Sequence, residues 1–199
     1  MTDPCADLLM LQRLVLDFAH RDRGDWVALQ ALFVPGAWLH LSWYQGPVEG
    51  FVAASRAMAE AGAPASKHLI APPRIDIAGA RAIGQTDITI LVRLATQGGE
   101  LDLTSWARFH DRFIREAGQW RIAARVAVYE KDRIDPLPGT HLGEAWSPER
   151  LARQPAAYKH LAVLLEQVGQ SVGADCIAAA SPAELALCAR DRAWLAGMD

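Results

Sequence analysis

The chain has 199 residues, of which 51% are hydrophobic, 22% charged and 8% aromatic, a composition that excludes intrinsic disorder and fits one packed core with or without an appendage. Its 20 Lys and Arg against 23 Asp and Glu leave a formal net charge of -3 with no block of like charge. Neither a nucleic-acid backbone nor an anionic membrane would find a basic footprint on it.

No run approaches the ~18 apolar residues of a membrane span. The start, Met1 to Asp7, is acidic where a secretory signal would be basic, so the expectation is a cytoplasmic protein. Cys5, Cys176 and Cys188 are widely spaced and form no Cys-x-x-Cys pair, which argues against a disulfide framework or a zinc knuckle. A mean hydropathy of +0.05 is apolar for this size and points to a greasy pocket, an oligomer interface, or both.

Leu8, Leu11, Leu14, Val15, Phe18 and then Asp22 recur at helical spacing, with Arg13, Asp17, His20 and Arg21 on the other side. This predicts an amphipathic helix over about 5–22, ended by Gly24. Asp25 is placed to cap a second short helix that carries Trp26, Leu29, Leu32 and Phe33. After Pro35-Gly36, residues 37–43 read as a strand, and Tyr44-Gln45-Gly46-Pro47 turns into a third helix over roughly 47–61.

From Lys67 the period changes to two. Strands are predicted around 67–78, 81–96, 100–116 and 119–130, joined at Ala78-Gly79, Gly98-Gly99 and Ala117-Gly118. Bulky residues occupy both faces, with Leu103, Phe109 and Phe113 on one and Trp106 and Ile114 on the other. The second sheet face is therefore expected to be covered, plausibly by a partner subunit. The Pro/Gly-rich stretch from Asp135 to Pro148 ends the sheet, and two further helices follow, one bearing Tyr158, Leu161, Leu165 and Val168 and one opened by Ser181-Pro182-Ala183-Glu184. Residues 136–199 are too few for a large core of their own and should pack on the main domain or across a dimer.

Nucleotide-binding, P-loop, serine-hydrolase and zincin motifs are missing, and the six histidines have no i,i+4 partner among them. No metal site or cofactor is expected. What is left is Asp22 on the apolar face of the first helix, where an unpartnered carboxylate is expensive, and His68 where the chain enters the sheet. Two readings stand. A buried Asp22 bonded to one imidazole nitrogen of His68 would fix the tautomer and leave the other nitrogen as a general base. Alternatively Asp22 caps the turn at Arg23-Gly24 and His68 is a satisfied core histidine.

The order Asp22-Arg23-Gly24-Asp25-Trp26 with Leu29 and Leu32-Phe33, then Tyr44-Gln45-Gly46-Pro47, then His68-Leu69-Ile70 before Ile75-Asp76-Ile77, resembles SnoaL-like members of the NTF2-like superfamily. The pair of strands Arg108 to Phe113 and Gly118 to Arg125 is similar to that family's final hairpin. The resemblance covers about residues 5–135 and implies an α+β, cone-shaped barrel, a curved sheet wrapped around three N-terminal helices, enclosing an apolar pocket and usually dimeric. It divides the chain into a SnoaL-like domain, 1–135, and a helical extension, 136–199.

Scytalone dehydratase, bile-acid dehydratase, hexachlorocyclohexane dehydrochlorinase, polyketide cyclases and ketosteroid isomerase belong to this superfamily. In its dehydratase and dehydrochlorinase branch a His–Asp pair abstracts a proton, and the resemblance places that pair on His68 and Asp22. Arg125 matches a cavity-facing position where a guanidinium would bind a leaving oxygen or an enolate; a salt bridge to Asp22 or Glu130 is its structural alternative. Tyr44 could supply a phenolic proton, and Phe18, Trp43, Trp106 and Phe109 could shape a pocket for a flat ring, with core or interface packing as the alternative for each aromatic. One departure stands out: where the bile-acid dehydratase branch has a tyrosine ahead of the dyad aspartate, this chain reads Asp17-Phe18-Ala19.

The expectation is a cofactor-independent lyase acting on an apolar cyclic or aromatic small molecule, in a homo-oligomer (dimer or trimer) with no nucleic-acid or membrane partner. C–C cleavage, as in deformylation of lignin-derived diaryl compounds, and isomerisation use the same dyad. A binding protein or a structural subunit would keep the fold without the chemistry.

Overall fold

Amphipathic N-terminal residues, long alternating strands and glycine turns build a curved sheet around a small set of helices. The computed structural model describes residues 4–198; the first three residues, where the acidic start begins, and Asp199 lie outside the described residues. Helix α1 (Pro4–Leu16) passes through a 3-10 turn (Asp17–Ala19) into α2 (His20–Arg23), so the single helix expected over 5–22 is bent in its last third. Gly24 ends it with φ +69, a left-handed conformation that glycine adopts without steric cost. Asp25 caps α3 (Trp26–Ala31) as predicted, accepting the Ala28 N–H at 3.1 Å.

Strand β1 (Phe33–His40) absorbs Pro35-Gly36 rather than starting after them, and the short β2 (Gln45–Pro47) leads into α4 (Val48–Glu60). Pro72-Pro73 splits the expected 67–78 strand into β3 (Ser66–Ile70) and β4 (Arg74–Ala78), because proline brings no N–H to a ladder. The long strands β5 (Arg81–Thr96), β6 (Gly99–Glu116) and β7 (Gln119–Pro136) carry the architecture. The sheet has eight strands, in the order β2-β1-β7-β6-β5-β3, with β4 beside β5 and the two-residue β8 (Ile177–Ala178) beside β7. β1 and β8 run parallel to β7; the other pairs are antiparallel.

Register shifts between β6 and β7, at Trp106/Ala107 and at Arg112/Phe113, each insert one extra residue into β7. Each insertion flips which alternate residues of β7 face inward. As a result Asp132, Tyr129, Ala127, Arg125 and Ile122 are opposite Ser105, Ala107, Phe109, Asp111 and Phe113, all on the concave side. Against that side pack Leu11 and Val15 of α1, Phe18 of the 3-10 turn, Leu29 of α3 and Phe51 of α4, all essentially buried. Asp7 ties the first helix to the hairpin end, accepting from Trp120 Nε1 and from Arg115 Nη1, each at 2.8 Å.

The extension folds back on its own chain. After the short α5 (Pro148–Leu151), helix α6 (Lys159–Gln167) buries Leu161 to Leu165 in the same core as the N-terminal helices. Helix α7 (Pro182–Leu195), capped by Ser181, lies on the convex face, where Leu187 and Ile177 cover Val128 and Asp191 binds Arg112 Nε at 2.8 Å. Part of the cover expected from a partner subunit is thus supplied by the tail itself. Among the described residues no helix is long and apolar enough to cross a membrane.

Candidate active site

Between the concave face, the α1–α2 turn, α4 and α6 lies a cavity of about 90 Å³. Its walls are mostly apolar: Phe18, Leu41, Trp43, Ile90, Val92 and Phe109, closed over by Leu161, Leu164 and Leu165 of α6 and by Val168 at its end. The polar groups on it are Arg21, Ser42, Ser66, His68 and Tyr129. A few polar groups in an apolar concavity is the usual make-up of a small-molecule site. Such sites for drug-sized ligands run to ~300–1,000 Å³, so this one, with α6 in place, suits a single small ring.

Asp22 meets His68 from behind this wall. The His68 Nδ1–H donates to Asp22 Oδ1 at 2.7 Å, and the His68 backbone N–H donates to Oδ2 at 2.6 Å. Both carboxylate oxygens are therefore committed to one residue, fixing the ring and the tautomer together. Nε2 has no hydrogen-bond partner among the described residues, and His68 is one of the residues that line the cavity. Phe18 stands edge-on to the imidazole, ring centres 5.7 Å apart. Burial pushes the Asp22 carboxyl up, but the bonds from His68 and the charge of Arg21 outweigh it and hold it below the usual carboxylate range. For His68, burial lowers the imidazole and the positive charges of Arg21 and Arg125 add to that, against the raising effect of Asp22; the net shift is downward. A neutral ring at neutral pH with a free Nε2 lone pair is the state a base needs.

The resemblance-based site residues divide between cavity and surroundings. Phe18, Trp43 and Phe109 line the cavity with His68. Arg125 does not. It is fully buried one layer behind, its Nε and Nη2 bonded to Asp111 Oδ1 and Oδ2 at 2.7 and 2.8 Å, so its partner is neither Asp22 nor Glu130. Its guanidinium sits in the corner formed by Phe109 and Phe18, 4.1 and 4.5 Å from the ring centres, and Nη1 has no hydrogen-bond partner among the described residues. The ring faces offset part of that cost. Tyr44 is also outside: its hydroxyl donates to the Pro47 carbonyl at 2.7 Å and packs so closely over Gly46 and Gly50 that a side chain at either would collide with it. Trp106 lies on the convex face, against Lys131 and Arg133, because its place in β6 is opposite in parity to Phe109.

Residues 9–126 match the SnoaL-like domain. The chain belongs to the SnoaL-like family. Pea pathogenicity protein 2 of Fusarium vanettenii is 30% identical over 165 residues, covering 78% of this chain and 70% of that protein. The fold is similar to that of LinA, a hexachlorocyclohexane dehydrochlorinase, at TM-score 0.57 with 19% identity over 70% of this chain and 95% of that one. It is also similar to a candidate scytalone dehydratase of Novosphingobium aromaticivorans, at TM-score 0.56 with 15% identity over 70% of this chain and 91% of that one.

Within the SnoaL-like frame, four polar cavity residues stand outside the sequence expectations, and Tyr129 and Arg21 are the ionisable ones among them. Tyr129 is buried, its phenolic oxygen accepts the Ser42 N–H at 3.0 Å, and burial first, then the nearby Cys176, pushes its pKa up to about 12. It faces inward only because of the bulge beside Glu130, which alternation alone does not reveal. Arg21 precedes Asp22 and reads as part of the polar face of a regular helix. The 3-10 turn at Asp17–Ala19 advances the chain by ~120° per residue rather than ~100°, which swings Arg21 onto the cavity. Among the described residues no group of three or more His, Cys, Asp or Glu side chains could hold a metal ion.

Proposed function

We propose that the protein is a cofactor-independent lyase that removes a proton from a small, largely apolar ring compound and expels water or another leaving group. The observation that carries this reading is the Asp22–His68 pair, held at 2.7 Å on the wall of an apolar cavity with Nε2 unengaged. His68 takes the proton; Asp22 orients the ring and balances the imidazolium that forms. A positioned base contributes typically ~10²–10⁴-fold in rate. Tyr129, whose phenol stays protonated at neutral pH, is placed to protonate the departing group. LinA performs a dehydrochlorination on a similar fold, which supports the elimination chemistry. Isomerisation and C–C cleavage would begin with the same proton transfer.

Two probes test the reading: enone formation from 3-hydroxycyclohexanone, followed by ultraviolet absorbance, and chloride release from hexachlorocyclohexane. Turnover of either that disappears in His68→Asn and Asp22→Asn, with circular dichroism unchanged, is the expected result. Turnover that survives both substitutions would rule out the dyad.

A further inference from the structure

The cavity holds one cation that the proton relay does not use. The Arg21 side chain is 16% exposed, and its only hydrogen bond among the described residues is from Nη1 to Ser66 Oγ at 2.6 Å. Asp22 Oδ1 lies 3.8 Å from Nη1, but both oxygens of that carboxylate already serve His68. The Trp43 ring centre is 5.9 Å from its guanidinium carbon. Arg125 makes a sharp contrast, since its charge is matched by a bidentate carboxylate and it stands off the cavity surface. Arg21 thus brings unspent N–H donors and a positive charge to the same wall as His68.

Charge balance says what those donors are for. With His68 neutral, Arg21 and Asp22 offset one another. Once Nε2 takes a proton, Asp22 is matched by the imidazolium and Arg21 is left as an unbalanced cation beside an apolar cavity, which is costly. A negative charge appearing on the substrate at that moment restores the balance.

Resting on the lyase reading above, we propose that Arg21 receives the substrate oxygen on which negative charge develops. The substrate class is therefore a carbonyl compound with its labile C–H next to the carbonyl, not a simple halocarbon. In the step, the C–H bond breaks and its proton goes to His68 Nε2. The electron pair moves into a C=C bond while the carbonyl π pair moves onto oxygen, giving an enolate that Arg21 holds. Collapse of the enolate re-forms the carbonyl and expels hydroxide from the β-carbon, which leaves as water with a proton from Tyr129 or the imidazolium. Arg21 and His68 then act on one developing charge from its two ends.

The test uses 4-nitrophenol as a single-ring enolate mimic whose absorbance separates phenol from phenolate, with 4-nitrotoluene as its neutral counterpart. The wild-type protein should bind the phenolate form and lower the pH at which the bound phenol ionises; an unshifted or raised ionisation overturns the proposal with no variant needed. Arg21→Met should weaken phenolate binding about 10- to 100-fold. Its 4-nitrotoluene binding should stay within about twofold. Equal loss of both ligands, or loss of neither, would make Arg21 only a strut for Ser66 and overturn the proposal. His68→Asn separates the two hypotheses: it should abolish turnover yet keep the Arg21-dependent preference for phenolate over 4-nitrotoluene. A dyad that fails its own test therefore does not decide the Arg21 result.

Discussion

Two histidines in this chain are held by aspartates in nearly the same way, and only one of them faces the cavity. At the first, Asp22 binds the Nδ1 and backbone N–H of His68 at 2.7 and 2.6 Å. At the second, Asp132 binds the Nδ1 and backbone N–H of His160 at 2.8 and 2.7 Å, and also the Leu161 N–H at 2.7 Å. His160 and Leu161 lie in the first turn of α6, where helical N–H groups have no partner within the helix. Tyr158, at the N-cap position, supplies no side-chain bond, so the fully buried Asp132 caps the helix from β7. The same pair of bonds anchors a helix in one place and, on the reading proposed above, orients a base in the other. Local His–Asp geometry therefore does not mark function. What distinguishes His68 is its surroundings: a cavity that it lines, Phe18 against the ring, and Arg21 beside the carboxylate.

Substituting the histidines separates the roles most strongly. His68→Asn should lower turnover by about 10²–10⁴-fold. The same change at His160 should leave kcat within about threefold. Next in size is loss of the anchor itself. Asp132→Ala strips partners from two backbone N–H groups and an imidazole, and should cost about 1–3 kcal/mol in urea unfolding. Because α6 carries Leu161, Leu164 and Leu165 onto the cavity, KM should also rise. Asp22→Asn, by contrast, should depress kcat far more than it raises KM.

The pH dependence is a smaller and more specific expectation. The His68 ring sits below the ordinary histidine value of about 6.5, so kcat/KM should hold through neutral pH and fall only as the medium becomes acid enough to protonate it. The stability linkage has the same sign. A lowered histidine contributes stability that is fully present above the unfolded value and is lost as pH falls from there through the folded one. Removing the Asp22 charge takes away the partner that raises the ring, so Asp22→Asn should shift the His68 titration, followed by NMR, still lower. The smallest effect is expected at Trp106. On the convex face with Lys131 and Arg133, Trp106→Phe should leave turnover within about twofold, whereas Trp43→Ala on the cavity wall should raise KM.

The contrast between the two pairs also marks where the sequence stops being informative. Asp22 on an apolar helix face already requires a partner, and glycine turns with period-two strands already require a hairpin sheet. Alternation alone does not place Asp132, Tyr129 and Arg125, because the two bulges in β7 change its inward parity twice. Trp106 lies across β6 from Phe109, as alternation predicts, but bulk on both sides of that strand does not say which side is concave, and a place on the pocket wall does not follow. Arg21 was hidden by a 3-10 turn, and the α6 wall by its distance in sequence from the rest of the cavity. Helices and turns are short-range consequences of residue choice; bulges and returning tails are settled by packing.

The central claim is that His68, and not its counterpart His160, removes a proton from a carbon next to a carbonyl. Deuterium uptake from D2O at the α-carbons of cyclohexanone, followed by NMR, measures that transfer without any leaving group. Uptake should be catalysed by the wild-type protein and by His160→Asn, and reduced to the uncatalysed rate in His68→Asn. Uptake by His68→Asn at the wild-type rate would contradict that claim.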